Sequence, residues 1–206
     1  MSPETRKEKT MQDQIMRSVA VIFYSTTGTT ARLAEAVTAG VIEGGANAVS
    51  FEITGDMIEA GRFVDANFLT AVGQADAVIM GSPTYMGGVS AQFKAFADAT
   101  GELWSERAWA DKFAAGFTIG SNFSGDQLST IQYLHTFANQ HGMLWVSIDV
   151  PGGFESKVAN RLGAQSGLIA KADNGEVHAD DLKTARYLGE RVAKLVRSHG
   201  VAARAA

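Results

Sequence analysis

Hydroxyl side chains and glycines crowd into a few short stretches of this chain, and the chemistry they suit is the holding of a phosphate. Ser25-Thr26-Thr27-Gly28-Thr29-Thr30 puts hydroxyls at every position but one, between an apolar run and a helical pattern. A helix N-terminus presents unpaired N–H groups and the positive end of its dipole, and hydroxyls add further donors. A capped helix start is the alternative, but a cap needs only one such side chain. The stretch holds no Lys or Arg, which suits a monophosphate held by dipoles and hydroxyls rather than a triphosphate with magnesium. The chain has no G-x-x-x-x-G-K-[ST] and no G-x-G-x-x-G after its first apolar run, which argues against an ATPase or GTPase loop and against the usual NAD turn.

A second stretch, Ser82-Pro83-Thr84-Tyr85-Met86-Gly87-Gly88, has a different character. Pro83 and the glycine pair fix an irregular backbone, while Tyr85 and Met86 offer flat and soft apolar surface. A tricyclic ring would pack there, edged by backbone amides; an ordinary turn with an exposed Tyr is the alternative. A third stretch, Gly120-Ser121-Asn122-Phe123-Ser124-Gly125, repeats the mixture of hydroxyl, glycine and aromatic. Other chemistry is poorly served. The histidines at 135, 141, 178 and 199 include no i,i+4 metal pair, and no G-x-S-x-G elbow occurs. No side-chain nucleophile or metal site is expected. A phospho-acceptor receiver wants an Asp where this chain has Gly81-Ser82-Pro83.

The elements that must position these stretches alternate along the chain. Val19–Tyr24, Ala77–Met80 and Phe113–Ile119 are continuous apolar runs, whereas Asn47–Ile53 and Met143–Val150 alternate apolar and polar residues. Helical patterns fall at Thr30–Glu43, around Phe63–Val72, at Val89–Asp98, Gln127–Gln140 and Asp180–Ser198. Repeated β-then-α order predicts a parallel sheet with helices on both faces. Strands covered on both faces read as unbroken apolar runs, and edge strands keep a polar side. The expectation is therefore a five-stranded doubly wound sheet in the order 2-1-3-4-5, the flavodoxin-like arrangement, with its ligand crevice outside the carboxyl ends of the strands. The three stretches above follow the first, third and fourth strands, which puts them on that rim.

Composition bounds the rest. The chain has 206 residues, 46% hydrophobic and 19% charged, with no cysteine and a formal net charge of −4. Disulfides and thiolate chemistry are excluded, a nucleic-acid surface lacks electrostatic backing, and no apolar run is long enough to span a membrane. These features predict a cytoplasmic protein, with residues 1–17 a polar, mobile tail and residues 18–200 the folded domain.

At the three stretches the sequence resembles the WrbA-type NAD(P)H:quinone oxidoreductases of the flavodoxin-like superfamily. The resemblance runs through VAVIFYSTTGTTARLAEAV, MGSPTYMGGVSAQFKAFADATGELW, ANQHGMLWV and ARYLGERVAKLV, which together span most of residues 19–198. It implies bound FMN, NAD(P)H as electron donor, a small quinone as acceptor, and a homodimer or homotetramer. Carried onto this chain, Ser25, Thr26, Thr27, Gly28, Thr29 and Thr30 hold the ribityl phosphate. Pro83, Thr84, Tyr85, Met86 and Gly87 border the isoalloxazine, and Thr118, Ile119, Gly120, Ser121, Asn122, Ser124 and Gly125 close its other side. The resemblance also implies that Trp104 walls the quinone across a subunit interface, that Tyr85 adjoins the substrate, and that His141 contacts flavin. An interior Trp after the third helix is the other reading of Trp104. His141 falls in the turn entering the fifth strand, so a neighbouring subunit would have to bring it. The chain departs from the family pattern at Thr27, where a Tyr is common, at Tyr85, where an Arg is usual, and over residues 160–167, where a Pro-Tyr-Gly element is expected.

Overall fold

The computed structural model describes residues 16–152 and 159–199. Residues 1–15 of the expected tail lie outside them. Arg17, assigned by sequence to that tail, is tied in: its guanidinium pairs with Asp76 at 3.0 Å and its carbonyl accepts from the Asn47 N–H at 2.7 Å.

Strand β1 (Ser18–Tyr24) runs parallel to β2 (Asn47–Ile53) on one side and to β5 (Ala77–Pro83) on the other. Beyond β5 lies β6 (Phe113–Gly120), in register Ala77 to Phe113 through Pro83 to Ile119. The small hairpin of β3 (Ile58–Glu59) and β4 (Arg62–Phe63) stands apart. Period-two alternation sends Val19 and Val21 to one face and Ala20 and Ile22 to the other, and all are buried. The first face is covered by α1 (Thr29–Glu43) and α6 (Ala179–His199). The second is covered by α2 (Ala66–Gly73), α3 (Ala91–Ala99) and α5 (Gln127–Gln140), with the short α4 (Gly101–Ser105) following α3. Phe63, Phe68, Phe93, Phe96 and Phe137 interlock there edge to face, and Trp109 is buried among them.

The expected five strands need one correction. Order 2-1-3-4 holds for the first four sheet positions, but the fifth is shared and a sixth follows it: the sheet runs β2-β1-β5-β6-β8-β9, with β7 also paired to β6. Strand β7 (Leu144–Trp145) pairs only with Phe113–Ala114, at the start of β6. Strand β8 (Leu168–Asp173) takes over against Phe117–Gly120. The alternation read over Met143–Val150 is real as burial, since Val146 and Ile148 are 4% and 1% exposed. It is not a continuous ladder, because the polar half of that stretch bonds elsewhere. Arg191 donates to the Ser147 carbonyl at 2.9 Å, Tyr187 donates to Asp149 at 2.7 Å, and the Ile148 N–H reaches the Gln165 carbonyl at 2.9 Å. The returning chain is pinned by Asp181, 1% exposed, which accepts from Arg161 Nε and Nη2 at 3.1 and 2.7 Å and from the Lys171 N–H at 3.2 Å. The sixth position is β9 (Glu176–Val177), antiparallel to β8 through a tight turn with Asn174 and Gly175 both at positive φ.

Helices α1 and α6 touch through backbone. A methyl on Gly40 would lie 1.9 Å from the Arg186 carbonyl oxygen, and one on Gly189 would lie 2.1 Å from that of Val37. Overpacking of a rigid core costs about 1–3 kcal/mol, and carbonyl oxygens cannot yield as a side chain can. Gly189→Ala is therefore expected to lower the stability measured by urea unfolding by about 3 kcal/mol, despite the better helix propensity of Ala.

Candidate active site

Parallel strands deliver their following connections to one edge, and β1, β5 and β6 are adjacent. The stretches Ser25–Gly28, Thr84–Val89 and Ser121–Asp126 thus meet on the carboxyl rim. Direct contacts join them. Tyr85 Oη donates to Thr26 Oγ1 at 2.9 Å, linking the second loop to the first. Thr84 Oγ1 lies 2.8 Å from both Thr118 Oγ1 and Thr130 Oγ1, and Thr118 in turn donates to the Ser82 carbonyl at 2.7 Å. The Thr84 N–H reaches the Ile119 carbonyl at 3.0 Å, and Gly87 faces Asp126 of the third loop.

The first loop has the donors of an anion site. Gly28 precedes α1 in the left-handed region (φ 85°) and offers no capping side chain of its own, and the first turn of the helix carries no acidic residue. The Ser25 hydroxyl folds back to accept from the Ala31 N–H at 3.2 Å, while Thr27 and Thr29 hydroxyls lie 3.3 Å apart. Thr26, Thr27 and Gly28 are exposed, and Thr29 and Thr30 are buried at the helix start. Positive potential from the dipole, unopposed by a carboxylate, and a ring of hydroxyls fit a phosphate monoester.

The second loop is a two-residue turn. Tyr85 and Gly88 exchange backbone hydrogen bonds of 2.9 and 3.1 Å around Met86 (φ 48°) and Gly87 (φ 75°). Positive φ at both central residues is the primed turn that normally favours Asn or Gly, and here it presents the Met86 side chain wholly to solvent. Beneath it Ser82 Oγ accepts from the Ser90 N–H at 2.9 Å and donates to the Pro83 carbonyl. The third loop carries Phe123, 66% exposed, over the Lys171 ammonium at 4.9 Å. Tyr85, Met86 and Phe123 give the rim exposed apolar surface of the sort a flat ring covers. Gln127, Thr130 and Lys171 also serve these loops and went unread in the sequence. The first two sit inside a helix stripe and the third in an unrecognised strand.

Trp104 and His141 are not on this rim. His141 follows α5 and leads to β7, which pairs with the start of β6, so it lies at the amino end of the sheet, about 20 Å away by strand rise. Trp104, on α4, is 52% exposed, so it is no interior Trp, and it shares with His141 a cavity of about 320 Å³ that Arg107 and Asn139 also line. The His141 ring lies tilted against Trp109 with centroids 4.5 Å apart, and its Nε2 bonds Thr100 Oγ1 at 2.9 Å. Burial holds this imidazole neutral and pushes its pKa down from 6.5 to about 4. The unfolded chain then takes up a proton that the fold refuses. The contribution is present in full above pH 6.5 and is lost as pH falls from there through about 4. Urea unfolding of the wild type is expected to show up to about 3 kcal/mol of stability lost across that window, and His141→Gln to flatten the profile there.

Comparison with known proteins agrees with this geometry. The family described as NADPH-dependent FMN reductase matches residues 17–152. Flavodoxin FldP of Pseudomonas aeruginosa is 34% identical over 188 residues, covering 87% of this chain and 97% of the relative. A protein named NAD(P)H dehydrogenase (quinone) from Archaeoglobus fulgidus is 34% identical over 194 residues, with the same coverage. The crystal structure of a flavodoxin, WrbA-like protein from Agrobacterium tumefaciens superposes with a TM-score of 0.71 at 37% identity, covering 89% of this chain and 99% of that one. With its rim of hydroxyl, glycine and aromatic loops at the carboxyl ends of a flavodoxin-like parallel sheet, the chain belongs to the NADPH-dependent FMN reductase family.

Proposed function

We propose that this protein is an FMN-dependent NAD(P)H:quinone oxidoreductase. The observation that carries the reading is the joining of the three loops on one rim, by Tyr85 to Thr26 and by Thr84 to Thr118 and Thr130. Relatives named NAD(P)H dehydrogenase (quinone) and the family match support it. FMN, when bound, supplies a two-electron relay from the nicotinamide to the quinone. The chain's own residues bind and orient. Ser25–Thr30 hold the phosphate through helix N–H groups and hydroxyls. Pro83, Thr84, Tyr85, Met86 and Gly87 edge the ring, with Thr84 fixed from below by its threonine partners. Thr118–Asn122, Ser124 and Gly125 close the opposite side. The Tyr85 hydroxyl, which donates to Thr26 Oγ1 in this structure, would hold a quinone oxygen by turning that one proton from Thr26 to the substrate.

Trp104 and His141 reach such a site only from another copy of the chain. Their sharing of one cavity at the far end of the sheet supports a homodimer or homotetramer in which that patch covers a neighbour's rim. The likeness to flavodoxin FldP favours a second reading, a one-electron carrier. A redox titration separates them: a single two-electron wave belongs to the reductase, and two resolved one-electron waves to the carrier.

Purified protein is expected to show the absorbance of bound oxidised flavin. Initial rates with NADH or NADPH and benzoquinone should then give parallel double-reciprocal lines; intersecting lines would refute a relay in which the donor leaves before the acceptor binds. Trp104→Ala should leave FMN content intact and lower kcat/KM for benzoquinone about tenfold, the weight of one aromatic contact.

A further inference from the structure

Three buried side-chain polar atoms among the described residues have no hydrogen-bond partner: Trp109 Nε1, His141 Nδ1 and Gln127 Oε1. The first two belong to rings packed on each other at the amino end of the sheet. Gln127 is alone in facing the rim. It is the first residue of α5, fully buried, and lies directly beneath the exposed loop Ser121–Asp126.

Its carboxamide is wedged between two glycines. A methyl on Gly120 would fall 2.7 Å from Nε2, and one on Gly125 would fall 3.0 Å from Oε1. Nε2 donates to the Asn122 carbonyl at 2.6 Å, which fixes the amide with its oxygen turned toward Gly125. The loop therefore lies against the Gln127 carboxamide and pairs its nitrogen but not its oxygen. Asp126 enters the helix in the left-handed region (φ 57°) without capping it, and the Gln127 N–H makes only a long bond of 3.3 Å to the Ser124 carbonyl. A buried acceptor without a donor is costly, and a loop that could supply one lies in contact with it.

We propose that Gln127 couples the third loop to the flavin, its Oε1 taking an N–H of the Ser121–Asp126 backbone in the loop conformation that closes on the ring. The inference rests on the flavin reading above. Gln127 is a positioning residue: the loop's outer surface meets the ligand, and its inner surface is held by the carboxamide. In the observed conformation the carboxamide holds the loop by one hydrogen bond, to the Asn122 carbonyl. In the closed one a second joins it, so part of the affinity for FMN comes from pairing an atom that the ligand does not touch. A merely structural Gln127 would instead stabilise the chain equally with and without flavin.

The test uses the full chain stripped of flavin and reconstituted with FMN. Gln127→Met keeps the volume and removes both polar ends. The expected result is an FMN dissociation constant, read by flavin fluorescence quenching, raised about tenfold, while the melting temperature of the flavin-free chain is unchanged or higher. An unchanged dissociation constant, or a weakening matched by an equal loss of flavin-free stability, overturns the proposal. Hydrogen exchange on the wild type gives an arm that does not depend on the variant folding. Amides of residues 121–126 should gain protection on adding FMN, and no gain there overturns the proposal. Failure of the wild type itself to bind FMN overturns the flavin reading and this inference together, and is told apart because no variant is involved.

Discussion

The chain of threonine hydroxyls from Thr130 through Thr84 to Thr118 is what makes a site out of separate loops. Each hydroxyl belongs to a different element: α5, the connection after β5, and β6. Thr118 and Thr130 are fully buried, so neither oxygen has water to fall back on. In that setting each is worth more paired, and costs more unpaired, than at a surface. The loop that follows β5 is thus held by the interior of the domain. It can present an irregular turn, with Met86 in a conformation that L-residues seldom adopt, because the turn's base is fixed from beneath.

That constraint requires the sheet to be rigid on both faces. The second face achieves this with interlocked phenylalanines, the first with helix backbones in van der Waals contact at Gly40 and Gly189. The close approach of α1 and α6 also fixes the start of α1, and with it the direction in which the N–H groups of its first turn point. Packing more than ten residues along the helix from Gly28 therefore bears on the geometry of the helix start.

Much of this was legible in the residues. Continuous apolar runs correctly marked β1, β5 and β6 as the covered strands, and the rim followed from their order, because a parallel strand leaves no freedom about the edge on which its connection emerges. Helix α5 falls at the residues its stripe predicts. The fifth strand was misread because alternation reports burial rather than pairing: Val146 and Ile148 face the core while α6 side chains, remote in sequence, take the polar groups between them. The final hairpin did carry a signal, the Asn174-Gly175 pair suited to a primed turn, which is the strongest short-range mark of two joined strands. Gln127 and Thr130 could not have been found by pattern. A polar residue in a helix stripe looks the same whether it serves solvent or a buried network.

The separation of the rim from the Trp104–His141 patch limits how copies of this chain can assemble if both belong to one site. The two surfaces lie at opposite ends of the sheet, so no chain can close the arrangement on itself. Joining the rim of one copy to the patch of the next, head to tail, uses each surface once and generates an open filament unless the rotation happens to close. A two-fold axis across the strands is different. It sets each rim against the other's far end, completes two sites in one interface, and leaves neither surface exposed to a further copy. In such a pair the exposed Tyr85, Met86 and Phe123 on one side, and Trp104 on the other, would be the apolar halves of one contact. Burying them together removes the exposed apolar area that each would otherwise carry into solution.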